Sequence, residues 1–368
     1  MDSANKAQKK LYEIIIQSIL NKIEENNFSF EHPICTESQL MEEFQVSRIT
    51  AKRAITELEH QGILYRKRGV GSFVARDIFQ KREHLQTPPQ VFAFVLPFTI
   101  KQENVFGMIS KINAKISNSN CFLSLFISDG SRSKEQTILK QLLEQNIAGL
   151  LFYPLSSDIH LELLNQFVFR NIPVIVMDQP TTAPYLYNVL CDNISGGQQL
   201  TEHLISLGHQ KISFFSSSNM SEVASVSERL DGYLKALKNA DLSVVPEYII
   251  QRMHDTSEKA LTEQISILRS FGVTGIVCEN DGIAQQLMNA CIHMGLSIPK
   301  DLSICGFSDD FENITSICQH ELLMAEHIGD IFLDALSSGQ TSPHKILVPA
   351  ELRLKSSTGP APDVTVSV

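Results

Sequence analysis

The longer, second part of the chain alternates short apolar runs with segments of helix length. Seven such runs follow one another from Val91 onward, namely VFAFVL, CFLSLFI, AGLLFY, PVIVMD, KISFFS, TGIVCE and LSICGF. Runs of this length, separated by amphipathic stretches, are typical of parallel strands that are covered by helices on both faces. The pattern predicts a doubly wound α/β domain that is long enough for two lobes.

The first part of the chain has helical spacing instead. Apolar and small residues at three- and four-residue intervals predict a first helix that ends near Asn26; they are Leu11, Ile14, Ile15, Ser18, Ile19 and Ile23. Thr36 and Ser47 are cap-type residues, each placed before a further short amphipathic segment, and Gly62 ends the third helix. Two short strands, ILY and SFV, follow and are joined by RKRGVG. The order predicts a helix-turn-helix with a wing over residues 1–76.

One face of the predicted third helix carries polar and cationic side chains. On a helical wheel, Ile49, Lys52, Arg53 and Thr56 lie opposite the apolar face, with Arg48 at the margin. Such a surface fits a DNA major groove, where the cations can bind guanine edges or phosphates and Ile49 can meet a thymine methyl group. The basic turn offers Lys67, Arg68, Gly69 and Gly71 to a phosphate backbone. Taken singly, these features also fit a solvated helix face and a plain surface loop.

The segment TESQLMEEFQVSRITAKRAITELEHQGILYRKRGVGSFV resembles the winged-helix head of the GntR regulator family. The resemblance implies binding to double-stranded operator DNA through Ser47, Arg48, Thr50 and Lys52 and through the two wing glycines. We count Thr36 and Glu37, at the start of the second helix, among the candidate contacts. Val70 stands where the family often has an arginine, so the resemblance favours readout by the helix rather than by the wing.

A polar segment, DIFQKREHLQTPPQ, follows the head and predicts an interdomain linker at 77–90. Residues 1–84 contain 13 Lys and Arg against 12 Asp and Glu, which leaves 18 against 29 for the rest. The cations of the head are clustered around Arg48 and Arg66. Local clustering, more than total charge, determines where a polyanion docks.

Polar residues follow directly after several of the apolar runs. Because ligands of doubly wound sheets bind beyond the carboxyl ends of the strands, these positions predict a cleft. The candidates are Pro97-Phe98-Thr99, Ser128-Asp129, Asp178-Gln179, Ser216-Ser217, Glu279-Asn280-Asp281 and Ser308-Asp309-Asp310. Among their acidic residues, we expect Asp129, Asp178, Asp281 and Asp309 to bind a ligand. Each could instead be a helix cap.

The segments DNISGGQQLTEHLISLGHQKISFF, SERLDGYLKALKNADL and CENDGIAQQLMNACIHMGLSIPKDLSICGFSDD resemble the effector domain of LacI-type repressors, a type I relative of periplasmic sugar-binding proteins. The resemblance implies that Arg229 and Asp281 hold ligand hydroxyls and that Phe98 and Phe106 cover the apolar face of a sugar. An ion pair, a helix cap and core packing are the alternatives. The domain is expected at 91–356, with a flexible tail at 357–368.

The chain has no apolar stretch of about 18 residues, no signal-like start and no paired cysteine motif. We therefore expect a bacterial cytoplasmic protein, associated with the nucleoid when bound to DNA, without cofactor, metal or membrane partner. The hypothesis is a homodimeric repressor of carbohydrate-utilisation genes that a small neutral sugar releases from its operator. An activator and a sugar- or nucleoside-processing enzyme remain alternatives, although no GxSxG, P-loop or HExxH motif is present. A transport binding protein is disfavoured by the DNA-binding head.

Overall fold

A computed structural model of the chain describes residues 2–25, 28–75, 89–97, 103–219, 221–251, 255–338 and 342–362. The chain divides into two compact units, Met1–Pro89 and Gln90–Val368. Within the described residues, no helix has the length and apolar character needed to cross a membrane. Most of the expected linker, residues 77–88, lies outside the described residues.

The head is a three-helix unit with a two-stranded wing, as predicted. Its elements are α1 (Asp2–Glu24), α2 (Glu37–Phe44), α3 (Arg48–His60), β1 (Leu64–Lys67) and β2 (Gly71–Val74). The buried stripe of α1 consists of Ile15, Ile19 and Ile23, whereas Leu11 and Ile14 are exposed. The apolar pattern therefore predicted the helix correctly. The buried face of the helix is narrower than the pattern predicted.

Both predicted caps are present. The Thr36 hydroxyl accepts a hydrogen bond from the Gln39 amide, and the Gln39 side chain accepts one from the Thr36 amide, which forms a reciprocal capping box. Ser47 caps α3 by accepting from the Thr50 amide. The wing strands extend further than predicted, because Arg66 and Lys67 pair with Ser72 and Gly71, and the turn shortens to residues 68–70.

The first lobe of the larger unit is a parallel sheet in the order β13-β7-β6-β5-β3-β4. Its strands are β3 (Gln90–Leu96), β4 (Cys121–Ile127), β5 (Gly149–Phe152), β6 (Val174–Met177), β7 (Tyr187–Cys191) and β13 (Lys345–Val348). Its helices are α4 (Glu103–Ser117), α5 (Arg132–Leu143), α6 (Leu161–Phe169) and α11 (Glu321–Ser338). On β3, Phe92 and Phe94 belong to one apolar core and Ala93 and Val95 to another, which is why the run lacks polar alternation.

The second lobe has the sheet order β14-β12-β11-β10-β8-β9, in which β14 alone is antiparallel to its neighbour among the described strands. Its strands are β8 (Ile212–Phe215), β9 (Ile249–Ile250), β10 (Gly275–Cys278), β11 (Ser303–Phe307), β12 (Thr315–Cys318) and β14 (Glu351–Arg353). Its helices are α7 (Asn193–Ser206), α8 (Ala224–Asn239), α9 (Glu258–Ser270) and α10 (Asp281–His293). The two-lobed, doubly wound architecture is thus confirmed.

The chain passes between the lobes after β7, after β12 and between β13 and β14. The seven cysteines are free thiols, and all except Cys318 are buried.

The flexible tail that was expected from residue 357 does not begin there. Ser357 is buried, its hydroxyl donates to the Ile304 carbonyl at 2.6 Å, and the Gly359 amide donates to Ser303. These hydrogen bonds fix the segment to β11, so residues 357–359 belong to the second lobe. Residues 363–368 lie outside the described residues.

Candidate DNA-binding face and ligand cavity

The outward face of α3 carries the side chains that the wheel placed there. Ile49 is 78% exposed, and Arg48, Lys52 and Arg53 are exposed as well. Arg53 lies over the ring of Tyr12 on α1, 4.4 Å from its centroid, so part of its side chain is held within the head. The face combines cations with one exposed branched apolar group, which suits a major groove.

Glu37 connects this face to the wing. It forms an ion pair with Arg48 at 2.9 Å, and Arg66 lies between Glu37 at 3.7 Å and Glu59 at 3.1 Å. The candidate contacts Glu37 and Arg48 are therefore brought together, and the glutamate orients the arginine at the start of α3. Thr36 uses its hydroxyl in the cap of α2, beside the same carboxylate.

The structure does not place Thr50 on the exposed face. Thr50 is 5% exposed and its hydroxyl lies 2.9 Å from that of Ser47, so it stabilises the start of α3 from within. The wing residues Lys67, Arg68 and Gly69 are exposed. Gly71 differs from Gly69, because a Cβ atom on it would lie 2.6 Å from Pro33 Cβ. Gly71 thus joins the wing to the segment before α2.

In the larger unit, the carboxyl ends of strands from both lobes border a cavity of about 780 Å³. Among its lining residues are Pro97, Asp129, Tyr153, Asp178, Gln179, Ser225, Arg229, Asn280, Ser308, Asp310, Gln319 and Glu321, together with the apolar Val105, Met108, Met177, Val223 and Val226. A volume of this size holds a small organic molecule, and the mixture of apolar walls with convergent polar groups is typical of ligand sites. The predicted cleft is present at the predicted strand ends.

Two glycines position Arg229 in the cavity. A Cβ atom on Gly197 of α7 would lie 2.1 Å from the Arg229 carbonyl oxygen, and one on Gly232 of α8 would lie 2.1 Å from the carbonyl oxygen of Ile194. Only glycine permits so close an approach of the two helices. The Arg229 guanidinium donates to Asn193 at 2.9 Å and to the Glu279 carbonyl at 2.6 Å, and it lies 3.8 Å from the centroid of the Phe307 ring.

Asp281 is not at the cavity surface, which corrects its predicted role as a ligand contact. It is completely buried, and it accepts hydrogen bonds from the Ser316 hydroxyl at 2.6 Å and from the Asp310 amide at 2.8 Å. Burial raises the pKa of this carboxyl, although both hydrogen bonds oppose the rise. The cap of α10 is instead Asn280, which lines the cavity. Asp281 therefore holds the loop after β11 in position, and Asn280 lines the cavity.

Asp129 and Asp178 line the cavity as predicted, and both have left-handed backbone conformations at the ends of their strands. Asp129 forms an ion pair with Lys134 at 2.5 Å, and Asp178 accepts from the Ser225 hydroxyl at 3.0 Å. Asp309 is not among the lining residues and forms an ion pair with Lys355 at 2.5 Å.

Of the two predicted apolar contacts, Phe98 and Phe106, the structure describes Phe106. Phe106 is 63% exposed and does not line the cavity, because Val105 and Met108 occupy the inner face of α4 and Phe106 lies on another. Phe98 lies outside the described residues.

Several lining residues were missed from the sequence. Tyr153 ends an apolar run, so its position could have been inferred, whereas Gln319 and Glu321 follow the short strand β12, which gave no clear signal. Burial, with smaller contributions from the nearby Asp310, Asp309 and Asp281, raises the pKa of Glu321 to about 7.

Hydrogen bonds cross the cleft on one side of the cavity. The Ser157 amide and hydroxyl donate to the Glu222 carbonyl, and the Ala224 amide donates to Gln179 Oε1 at 2.9 Å. With the Asp178 to Ser225 hydrogen bond, these contacts join the first lobe to the start of α8. No group of three His, Cys, Asp or Glu suited to a metal ion occurs among the described residues.

Comparison with known protein families gives one match in each of the two units. Residues 11–74 match the bacterial regulatory proteins of the gntR family, and residues 201–358 match the periplasmic binding protein-like domain. Among solved structures, a transcriptional regulator CelR–cellobiose complex has a TM-score of 0.63 at 22% identity, covering 85% of this chain and 92% of its own. A LacI family regulator from Enterococcus faecium with bound ribose has a TM-score of 0.64 at 21% identity, covering 74% and 99%. These structures share the fold.

Two curated relatives extend over most of the chain. The arabinose metabolism transcriptional repressor of Geobacillus stearothermophilus is 30% identical, and the alignment covers 82% of each chain. The repressor of the same name from Halalkalibacterium halodurans is 28% identical, with 83% of this chain and 82% of its own covered. This chain belongs to the gntR family of bacterial regulatory proteins and is a DNA-binding transcription regulator, not an enzyme, in which a periplasmic binding protein-like domain follows the winged-helix head along the chain.

Proposed function

We propose that this regulator represses genes of sugar metabolism and that a small neutral sugar, bound in the cavity between its lobes, releases it from its operator. The observation that carries the proposal is the cavity itself. Carboxylate and amide groups from the ends of strands in both lobes converge there with the Arg229 guanidinium of α8. The names of the relatives support repression, since they include repressors of arabinose metabolism and of a ribose operon.

The chemistry of the cavity suits a polyol. Carboxylates accept hydrogen bonds from hydroxyl groups, Arg229 donates them, and Asn280 and Gln179 do both. Tyr153, Val105 and Met108 supply apolar surface for the C–H groups of a sugar ring. The chain contains no tryptophan, so the apolar contacts depend on these residues.

In the proposed mechanism, the ligand strengthens contacts between the lobes. Ser157, Asp178 and Gln179 already reach the start of α8, and a sugar between Asp178 and Arg229 would add hydrogen bonds to both sides. A ligand can shift such an equilibrium only by its differential affinity for the two lobe arrangements. In a cytoplasmic homodimer with one head per half-site, the altered lobe arrangement would change the spacing of the heads and weaken operator binding.

A thermal-shift screen of the full chain tests the ligand class. The probes are L-arabinose, D-ribose, D-xylose, D-galactose and cellobiose, since a ligand that binds the folded state raises Tm by mass action. We expect at least one neutral sugar to raise Tm and Asn280→Ser, which keeps a capping residue for α10, to weaken that response. A flat response to all five, accompanied by a shift with a nucleobase or an amino acid, would overturn the proposed ligand class.

A further inference from the structure

The charged side chains that line the cavity differ in whether they have partners. Asp129 is paired with Lys134, Asp178 accepts from Ser225, and Arg229 donates to Asn193 and to a backbone carbonyl. Asp310 is engaged as well. The Glu321 carboxyl is different, because among the described residues it has neither an ion-pair partner nor a hydrogen bond from another residue, apart from its own backbone amide.

The surroundings of Glu321 are acidic and come from both lobes. Glu321 opens α11 of the first lobe, and it faces the loop after β11 of the second. The titratable groups that act on it or respond to it are Asp309, Asp310, Asp281, Tyr153, Cys191 and Cys318. The cations on the packing helix α4, Lys111 and Lys115, are paired with Glu326 and Asp330, further along α11. The neighbouring His320 is paired with Glu351.

We propose that Glu321 determines which ligands the cavity accepts: its carboxyl binds a hydroxyl group of a neutral sugar and excludes sugars that carry a phosphate or a carboxylate. This inference rests on the proposed function and assigns a specificity residue within it.

The physical basis is the difference between a hydroxyl and an anion as partners of a carboxyl. A hydroxyl can donate to the carboxylate and accept from the carboxylic acid, so it satisfies Glu321 in either protonation state. A carboxylate or a doubly ionised phosphate cannot donate, and it meets Glu321, Asp178 and Asp310 in a cavity where charges are weakly screened. The Arg229 guanidinium offers limited compensation, since among the described lining residues it is the one cation beside the four carboxyls of Asp129, Asp178, Asp310 and Glu321.

The test compares Glu321→Gln with the wild-type full chain by calorimetric titration. The neutral and anionic probes are D-galactose with D-galacturonate and D-ribose with D-ribose 5-phosphate. We expect the wild-type protein to prefer the neutral member and Glu321→Gln to reduce that preference at least ~10-fold, the size of one lost interaction with a charged group. Glu326→Gln, the same change on the same helix outside the cavity, should behave as wild type.

The pH dependence adds a readout that requires no variant. Galacturonate stays ionised between pH 6 and 8, whereas Glu321, with a pKa of about 7, loses its proton over this range. The wild-type preference for galactose should therefore fall as the pH is lowered from 8 to 6, and that of Glu321→Gln should stay constant. A wild-type preference for galactose that stays constant between pH 8 and 6 would refute the role of Glu321, even if Glu321→Gln folds poorly.

The outcomes separate the two proposals. If a neutral sugar binds but Glu321→Gln keeps the wild-type preference and pH profile, the specificity role of Glu321 is refuted and the proposed function stands. If no neutral sugar binds either protein, the proposed function fails, and the role of Glu321 fails with it.

Discussion

Replacing Asp281 by alanine should destabilise the effector domain rather than only remove a ligand contact. The carboxylate has no exposed surface and accepts from Ser316 at 2.6 Å and from the Asp310 amide at 2.8 Å. Its removal leaves two donors unpaired, each costing about 1–3 kcal/mol. The gain from no longer burying a carboxyl, whose pKa is raised by burial, offsets part of this cost. We expect a net loss of about 3 kcal/mol, which lowers Tm by roughly 6–12 °C in a domain of this size.

Differential scanning calorimetry of the full chain measures this loss. Asp281→Asn should recover most of the stability, because its amide oxygen can still accept from the Asp310 amide and the Ser316 hydroxyl can rotate to accept from the new NH₂ group. The exposed Asp231 on α8 provides the control, and Asp231→Ala should change the stability by less than about 0.5 kcal/mol. An Asp281→Ala protein that melts within about 2 °C of wild type but no longer responds to sugar would refute the reasoning, because Asp281 would then act on the ligand and not on the loop.

Three further predictions concern the head and the second lobe. Arg48→Ala with Lys52→Ala should weaken operator binding at least ~10-fold in fluorescence anisotropy and leave the sugar-dependent Tm shift intact; unchanged DNA affinity would exclude the α3 face. Gly71→Ala should lower the stability of the head by about 1–3 kcal/mol through its contact with Pro33, more than Gly69→Ala, which strains a left-handed backbone but meets no neighbour; equal melting temperatures would contradict this. Burial lowers the pKa of His209, so the unfolded chain takes up the proton first and stability should fall as the pH drops below about 6.5. His209→Gln, though less stable at pH 8, should lose less Tm between pH 8 and 5.5; a parallel loss would assign the effect to other groups.

Residues with strong local signals could be located from the sequence. Thr36 and Ser47 were recognisable caps, because a hydroxyl before an amphipathic segment has few other roles. The strands β3, β4, β5, β6, β8, β10 and β11 were recognisable as apolar runs. Burial on both faces removes the polar alternation of these strands except β4, in which Phe122 and Leu125 are exposed. The strands β7, β12 and β13 were not identified, since Asn188, Thr315, Ser316 and Lys345 interrupt their apolar character.

The site was harder to predict than the fold because it depends on side-chain direction. Asn280 and Asp281 are adjacent, and only the structure shows that the first faces the cavity and the second faces the protein interior. Phe106 and Val105 present the same ambiguity on α4, where one step along a helix rotates a side chain by about 100°. Glu321 joins the site through tertiary packing of α11, which no local pattern indicates.

The central claim is that sugar binding in the cavity weakens DNA binding by the head. It is tested most directly by fluorescence anisotropy with a DNA fragment selected from random sequence by the full chain, titrated with the sugar that raises Tm most. We predict that saturating sugar lowers the DNA affinity ~10-fold or more, a coupling of about 1.4 kcal/mol, and that Asn280→Ser shifts this response to higher sugar concentration. DNA affinity that stays the same, or rises, while calorimetry shows the cavity filled with sugar would contradict the account.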